Sequence, residues 1–385
     1  MEFKMPHFKL KFYHVLYVIA ISLAVLSIYA SYSLQGTLWR PTVNVLIGGV
    51  TMVAVSLIDY RQLNRFASLG LITAVILVII TLIAGSGGGG RSLELGSLSI
   101  QTFFIAAFLF VFYMATYLSQ HMEENENLEK RDFITIAIFF SAMIVMIALR
   151  NISTAVLLFG TGIVLLFIAG TKIRHLVIYV AIMGILGYGY ISIRPSHNNT
   201  AANEVETEDS HSDRGATGKG RITYWLTGKS DVQGYGSQMT MAKTAIARSA
   251  WPTGPGRGII KERMPEKEND YVFAMLCEEL SVGTGILIMI LYGIFFYQCT
   301  LIARKAKGNF TRLFAIGIGI LVAGQAIIHI AVNVGLIPAT GQTLPFISRG
   351  ITNMLVTCVA FGILINMAKN VDKKADAHDE ELRME

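Results

Sequence analysis

Ten blocks of apolar residues, each near the length of a bilayer crossing, divide this chain. Their cores lie at 14–33, 42–58, 69–86, 102–119, 133–150, 152–170, 175–194, 280–303, 313–333 and 351–368. A hydrocarbon core of about 30 Å needs about 20 apolar residues in a helix. Backbone polar groups inside lipid must bond within their own segment, so the blocks predict helices. The expected fold is all-α: a polytopic membrane protein of about ten transmembrane helices. Only 15% of the 385 residues are charged, against about a quarter in soluble domains. The three cysteines, Cys277, Cys299 and Cys358, sit in or beside apolar runs and outline neither a disulfide framework nor a zinc site. No basic block with interleaved aromatics points to nucleic acid.

Lys4, Lys9 and Lys11 precede the first block, and no small-residue cleavage site closes it. The first span is therefore expected to stay as an uncleaved anchor. With the N-terminus inside, cytoplasmic segments carry Arg61, Arg65, Lys130, Arg131, Lys172, Arg174, Arg304, Lys305, Lys307 and Arg312. The short outer segments carry only Arg40, Arg91, Arg150 and Arg349. That asymmetry obeys the positive-inside rule and predicts both termini in the cytoplasm, the tail being 370–385. Cysteine probes at Ser210 and Thr343 are then expected to react from outside, and one at Asn125 not. The whole of 1–385 reads as one membrane domain with a large extracytoplasmic loop at 195–279. Asn198 to Lys219 is polar and reads as flexible. The second half places Tyr224, Trp225, Tyr235 and Trp251 among glycines, which suits an interfacial, partly re-entrant segment.

The end of this loop concentrates Glu266, Glu268, Asp270, Glu278 and Glu279 just before the eighth apolar block. Solvation accounts for Glu266 and Glu268. It accounts less well for Asp270, which Tyr271, Val272 and Phe273 follow at once. Were the helix to begin at Asp270, Glu278 would share its face about 12 Å along the axis, too far for a bonded carboxylate pair. Arg257, Lys261 and Arg263 stand a few residues upstream, and Gly254, Gly256 and Gly258 allow close backbone approach to a substrate. His329, alone in an apolar helix, reads as a hydrogen-bonded interhelical residue. Gly335, Pro338, Gly341 and Pro345 predict irregular backbone, tolerated at membrane depth only when buried in protein or lining a polar cavity.

The segment Asn333-Val-Gly335-Leu-Ile-Pro338-Ala-Thr340-Gly341-Gln-Thr-Leu344-Pro345-Phe-Ile-Ser348-Arg-Gly350, with Pro265-Glu266 and Asp270-Tyr-Val-Phe-Ala ahead of Glu278-Glu279-Leu280, resembles the SEDS family of bacterial shape, elongation, division and sporulation proteins. The likeness runs from Tyr29-Ala-Ser31 to the last helix, and the Asn333–Pro338 context is more like the division branch than the elongation branch. It implies a peptidoglycan glycosyltransferase that polymerises lipid II, an undecaprenyl-pyrophosphate disaccharide pentapeptide, on the outer membrane face. The implied partners are a class B penicillin-binding protein transpeptidase and other division proteins. The family's essential acidic residue falls on Asp270. The implied role is general base for an inverting transfer, which needs one carboxylate and no covalent intermediate. Arg91, Arg257, Lys261 and Arg263 are candidates for pyrophosphate contact. Thr340, Ser348 and Arg349 are the other candidate substrate contacts. Glu278, Glu279, Asn333, Pro338, Gly341 and Pro345 take supporting roles. A divalent cation, magnesium or manganese, is a candidate countercharge, with no ligands assigned.

The chain departs from the family in several places. Thr102, Phe103 and Phe104 follow Gln101 where the family has Pro-Ser-Glu, and Ala107 stands at a usual Lys position. Asn151 replaces an Asp in Leu149-Arg150-Asn151-Ile152-Ser153-Thr154-Ala155, and Arg349-Gly350-Ile351 replaces a paired glycine. A lipid-linked precursor transporter, or a scaffold for the transpeptidase, is the alternative. A transporter is expected to carry ionisable groups near the bilayer midplane, where this chain has few.

Overall fold

The computed structural model describes residues 11–36, 38–85, 93–95, 98–122, 128–193, 225–226, 235–265 and 267–384. Helices α1 (Phe12–Gln35), α2 (Trp39–Leu57), the short α3 (Tyr60–Leu63), α4 (Ala67–Ala84), α5 (Thr102–His121), α6 (Lys130–Ala148), α7 (Ile152–Ile168) and α8 (Ile173–Ile193) form the first part. Then come α9 (Tyr235–Ala247), α10 (Val272–Leu280), α11 (Val282–Lys305), α12 (Asn309–Asn333) and α13 (Ile351–Met384). Among the described residues, eight helices are long and apolar enough to cross a membrane, and α7 and α8 are shorter apolar helices. These ten coincide with the ten predicted blocks, and the chain is a multi-pass membrane protein. The structure adds one feature to the all-α expectation. A two-stranded antiparallel hairpin, β1 (Leu93–Leu95) with β2 (Leu98–Ile100), lies in the glycine-rich segment before α5.

Local chemistry explains the ends. α1 stops at Gly36, whose φ of 70° is left-handed and whose N–H donates to the Tyr32 carbonyl. A residue with a Cβ resists that conformation, so glycine is favoured there. The tight turn between α6 and α7 is closed by Asn151, whose side chain accepts the Thr154 N–H at 3.1 Å. α13 runs for 34 residues, roughly 50 Å at 1.5 Å per residue, so its helical backbone outlasts a single crossing and takes in the predicted tail.

Burial sorts the helices into a centre and a rim. α5, α12 and α13 have 72%, 67% and 78% of their apolar windows buried, against 22% for α2 and α4. α2 packs on α13, α4 on α5, and α12 against α11, α5 and α7. At Gly362 of α13 a Cβ would meet the Met52 carbonyl at 2.7 Å, so the missing side chain lets α2 approach closely. Exposed residues such as Val18, Ile21, Val25, Leu46, Val50, Ile72 and Ile76 face outward from the rim. In water such a surface would drive association. In a bilayer the acyl chains cover it.

Candidate active site

The acidic cluster ahead of the eighth apolar block does not start a helix at Asp270. Residues 267–270 form turns, and α10 begins at Val272. α10 is buried on all sides from Val272 to Glu279. Its ends must therefore be satisfied by protein. At the C-terminal end, Gly254 N–H donates to the Glu279 carbonyl at 3.0 Å, and the Thr253 hydroxyl to the Glu278 carbonyl at 3.0 Å. The 249–254 stretch thus covers the end of α10.

Glu278 and Glu279 are both buried. Glu278 Oε1 accepts the backbone N–H groups of Ile259 and Ile260 at 3.1 and 3.2 Å. The Glu279 carboxylate accepts the Ser33 hydroxyl, and its other oxygen lies 3.6 Å from Lys261 Nζ, an ion-pair distance rather than a hydrogen bond. Lys261 Nζ also donates to the Ser33 carbonyl at 3.1 Å, and Gly256 N–H to the Ser33 hydroxyl at 3.2 Å. The end of α1, the glycine loop and the end of α10 thus meet at one buried polar knot.

The irregular segment after α12 is held from every side. Gln325 Nε2 donates to the Thr343 carbonyl and hydroxyl at 2.9 and 3.0 Å, and His329 Nδ1 lies 2.7 Å from the Gln342 carbonyl. Asn353 Nδ2 donates to Thr343 Oγ1 at 2.9 Å, and Gln342 Nε2 to Thr154 Oγ1 at 2.9 Å. The Ser153 hydroxyl donates to the Thr340 carbonyl at 3.2 Å, and the Tyr292 hydroxyl to the Pro345 carbonyl. Gly341 takes a left-handed φ of 67° within this segment, with Pro338 and Pro345 on either side of it. Thr343, expected to be an outer probe site, is only 6% exposed. Gln325 of α12 and Asn353 of α13 bond it from either side, so the expectation of easy labelling is corrected.

This segment and the acidic turn are tied carbonyl by carbonyl. Arg349 N–H donates to the Glu268 carbonyl at 2.9 Å. The Ser348 hydroxyl donates to the Asn269 carbonyl at 2.8 Å. Asn333 Nδ2 donates to the Asp270 carbonyl at 3.0 Å. Arg349 adds an ion pair to the Glu268 carboxylate at 2.7 Å. The Ser348 hydroxyl also accepts the Leu344 N–H at 2.7 Å and is buried, so it links the acidic turn to the segment after α12.

Two concavities flank the last turn of α1. One is lined by Ala30, Ser31, Leu34, Glu268, Val272, Ile347 and Arg349. The other, of about 390 Å³, is lined by Tyr32, Ser33, Leu34, Gly36, Pro255, Gly256 and Lys261. Leu34 lines both, so the Glu268–Arg349 pair and Lys261 lie on either side of it at the end of α1. Arg257 and Arg263 are exposed on the same loop. Arg91 and Glu266 lie outside the described residues. Among the described residues, no three His, Cys, Asp or Glu side chains gather as a metal-binding group. Glu278 accepts backbone N–H groups, and Glu279 accepts the Ser33 hydroxyl and pairs with Lys261.

The family model for cell cycle proteins of the FtsW, RodA and SpoVE type matches residues 6–373. The chain belongs to the FtsW/RodA/SpoVE family. Stage V sporulation protein E of Bacillus subtilis (strain 168) is 28% identical over 355 residues, covering 89% of this chain and 90% of that protein. A probable peptidoglycan glycosyltransferase FtsW of Thioalkalivibrio sulfidiphilus (strain HL-EbGR7) is 30% identical over 313 residues, covering 78% and 73%. The FtsW/RodA/SpoVE fold is shared with solved structures. A chain described under "structural coordination of polymerization and crosslinking by a peptidoglycan synthase complex" matches with a TM-score of 0.73 at 18% identity, covering 92% of this chain and 97% of that one. The rod shape determining protein RodA of Thermus thermophilus matches with a TM-score of 0.65 at 17% identity, covering 95% and 99%.

Sequence reasoning missed Ser33, Gln325, Gln342 and Asn353 in this family member. Gln325 had a readable signal, since Gln325, His329 and Asn333 recur at i, i+4 and i+8 on an otherwise apolar helix. Ser33 had none.

Proposed function

We propose that this chain is a peptidoglycan glycosyltransferase that polymerises lipid II on the outer face of the cytoplasmic membrane, at the division septum, beside a class B penicillin-binding protein. Family membership and the names of the relatives support the reaction class. The observation that carries the site is the set of three consecutive carbonyls, Glu268, Asn269 and Asp270, each held by a residue from 333–349. A turn fixed in this way holds the backbone of Asp270 in place, two residues from Glu268, which lines the concavity at the last turn of α1.

Asp270 acts as general base. Its carboxylate takes the proton of the acceptor sugar hydroxyl as that oxygen bonds the donor's anomeric carbon. The bond from that carbon to pyrophosphate breaks, and undecaprenyl pyrophosphate leaves with its electron pair. Attack opposite the leaving group inverts the anomeric centre, so one carboxylate suffices. The leaving group needs countercharge more than a proton. Lys261, Arg257, Arg263, Arg349 and Arg91 are the candidate sources, and Thr340 a candidate polar contact. No step is assigned to a metal ion.

The test is polymerisation of purified lipid II, with and without the transpeptidase. Asp270→Asn keeps size and removes basicity, and is expected to slow polymerisation about 10²–10⁴-fold. Glu268→Gln is expected to lose far less. Near-normal synthesis by Asp270→Asn removes Asp270 from the mechanism; no polymerisation by the unsubstituted protein, with or without the transpeptidase, favours a scaffold or transporter.

A further inference from the structure

α10 begins without a cap of its own. Its N-cap residue, Tyr271, offers no side-chain acceptor, and the first helical bond within the element is Met275 N–H to the Tyr271 carbonyl. The Ala274 N–H is thus one of the unsatisfied donors that every helix start presents. Asn333, at the end of α12 and fully buried, supplies what is missing. Its Oδ1 accepts Ala274 N–H at 3.0 Å. Its Nδ2 donates to the Asp270 carbonyl at 3.0 Å and to the His329 carbonyl at 2.8 Å. One N–H and two carbonyls admit only one orientation of the amide, so the oxygen and nitrogen are fixed by their partners.

Asn333 therefore grips the chain on both sides of Tyr271. The next carbonyl back, Asn269, is held by Ser348, whose own hydroxyl is anchored by the Leu344 N–H. Asp270 stands between two pinned points, and both pins are buried side chains. We propose that Asn333 and Ser348 are positioning residues that fix the Asp270 carboxylate by holding the Asn269 and Asp270 carbonyls. This rests on the reading of Asp270 as the base. Neither side chain touches the reacting atoms; each acts through the backbone beneath Asp270. A general base works only within hydrogen-bond reach of its proton, and a shift of about 1 Å costs about 10²-fold.

The test is a double-mutant cycle on the full-length protein in lipid II polymerisation. Asn333→Leu removes all three bonds at similar volume, and Ser348→Ala removes the Asn269 hold with less disturbance should the first variant fail to insert. Each is expected to lower kcat by about 10- to 10²-fold while KM for lipid II changes less than about threefold. Adding either substitution to Asp270→Asn is expected to cost nothing further, because the group being positioned is already gone. Multiplicative losses overturn the positioning role and leave the base intact. A lowered melting temperature with unchanged kcat also overturns it, since the residues would then serve stability only. Full activity of Asp270→Asn alone overturns the base reading, and the positioning role falls with it.

Discussion

Arg349 holds Glu268 twice. Its guanidinium lies 2.7 Å from the Glu268 carboxylate, and its backbone N–H donates to the Glu268 carbonyl at 2.9 Å. The two bonds differ in kind. The backbone bond fixes the turn and survives any side-chain change. The ion pair has an Arg349 side chain 56% exposed, and pairs in such a setting contribute about 0–1 kcal/mol. Arg349→Ala should thus shift stability by no more than about 1 kcal/mol. If the guanidinium meets substrate, polymerisation should fall roughly 10–100-fold, the worth of one hydrogen bond to a charged group. Melting curves in detergent beside lipid II kinetics separate the effects. Unchanged kinetics would strike Arg349 from the substrate contacts.

Gly258 is pressed against both buried carboxylates. A Cβ there would meet Glu278 Oε2 at 2.9 Å and Glu279 Oε1 at 3.3 Å. Gly258→Ala forces the glycine loop off the end of α10 and is expected to cost about 1–3 kcal/mol, the usual penalty for overpacking. A melting temperature equal to that of the unsubstituted protein would show that the knot yields freely.

Glu278 is a buried acceptor for backbone donors. Glu278→Ala strands the part-buried N–H groups of Ile259 and Ile260, with about 1–3 kcal/mol as the ceiling for each, reached only where water does not replace the carboxylate. Glu278→Gln keeps one acceptor oxygen and should cost less than half as much. Thermal unfolding of the two variants side by side checks the order. If Gln proves as harmful as Ala, the charge and not the acceptor is what matters.

Topology can be read with thiol probes, because Cys277, Cys299 and Cys358 are all buried and give little background. A cysteine at the exposed Arg257 position should react with an impermeant reagent from outside intact cells, and one at the exposed Lys307 position should not. A cysteine at Thr343 should stay unlabelled on either side, because that position is buried beneath Gln325 and Asn353. Labelling of Lys307→Cys in sealed cells would invert the orientation drawn from the short loops.

The membrane helices were legible in the chain because hydropathy is a local property. Insertion into hydrocarbon asks only whether about 20 consecutive residues are apolar, and neighbours in sequence answer that. The C-terminal signature and its glycine and proline spacing were legible in the same way. What the sequence left open is which groups meet. Ser33 and Glu279 lie 246 residues apart, Asp270 and Asn333 63 apart, and Ser348 and Asn269 79 apart. No local pattern pairs them. Glu278 gave no sign that its partners would be backbone N–H groups and not a lysine. Lys261 gave no sign that one face would be spent on Glu279 and the Ser33 carbonyl. In a buried, low-dielectric setting each polar group must find a partner, and the packed helices decide which is within reach. The sequence by itself determined the helices and the residue types gathered in the segments between them. Only the tertiary structure decided that three carbonyls of one turn are held by Arg349, Ser348 and Asn333, because that depends on where the end of α12 and the irregular segment after it come to rest against the turn before α10.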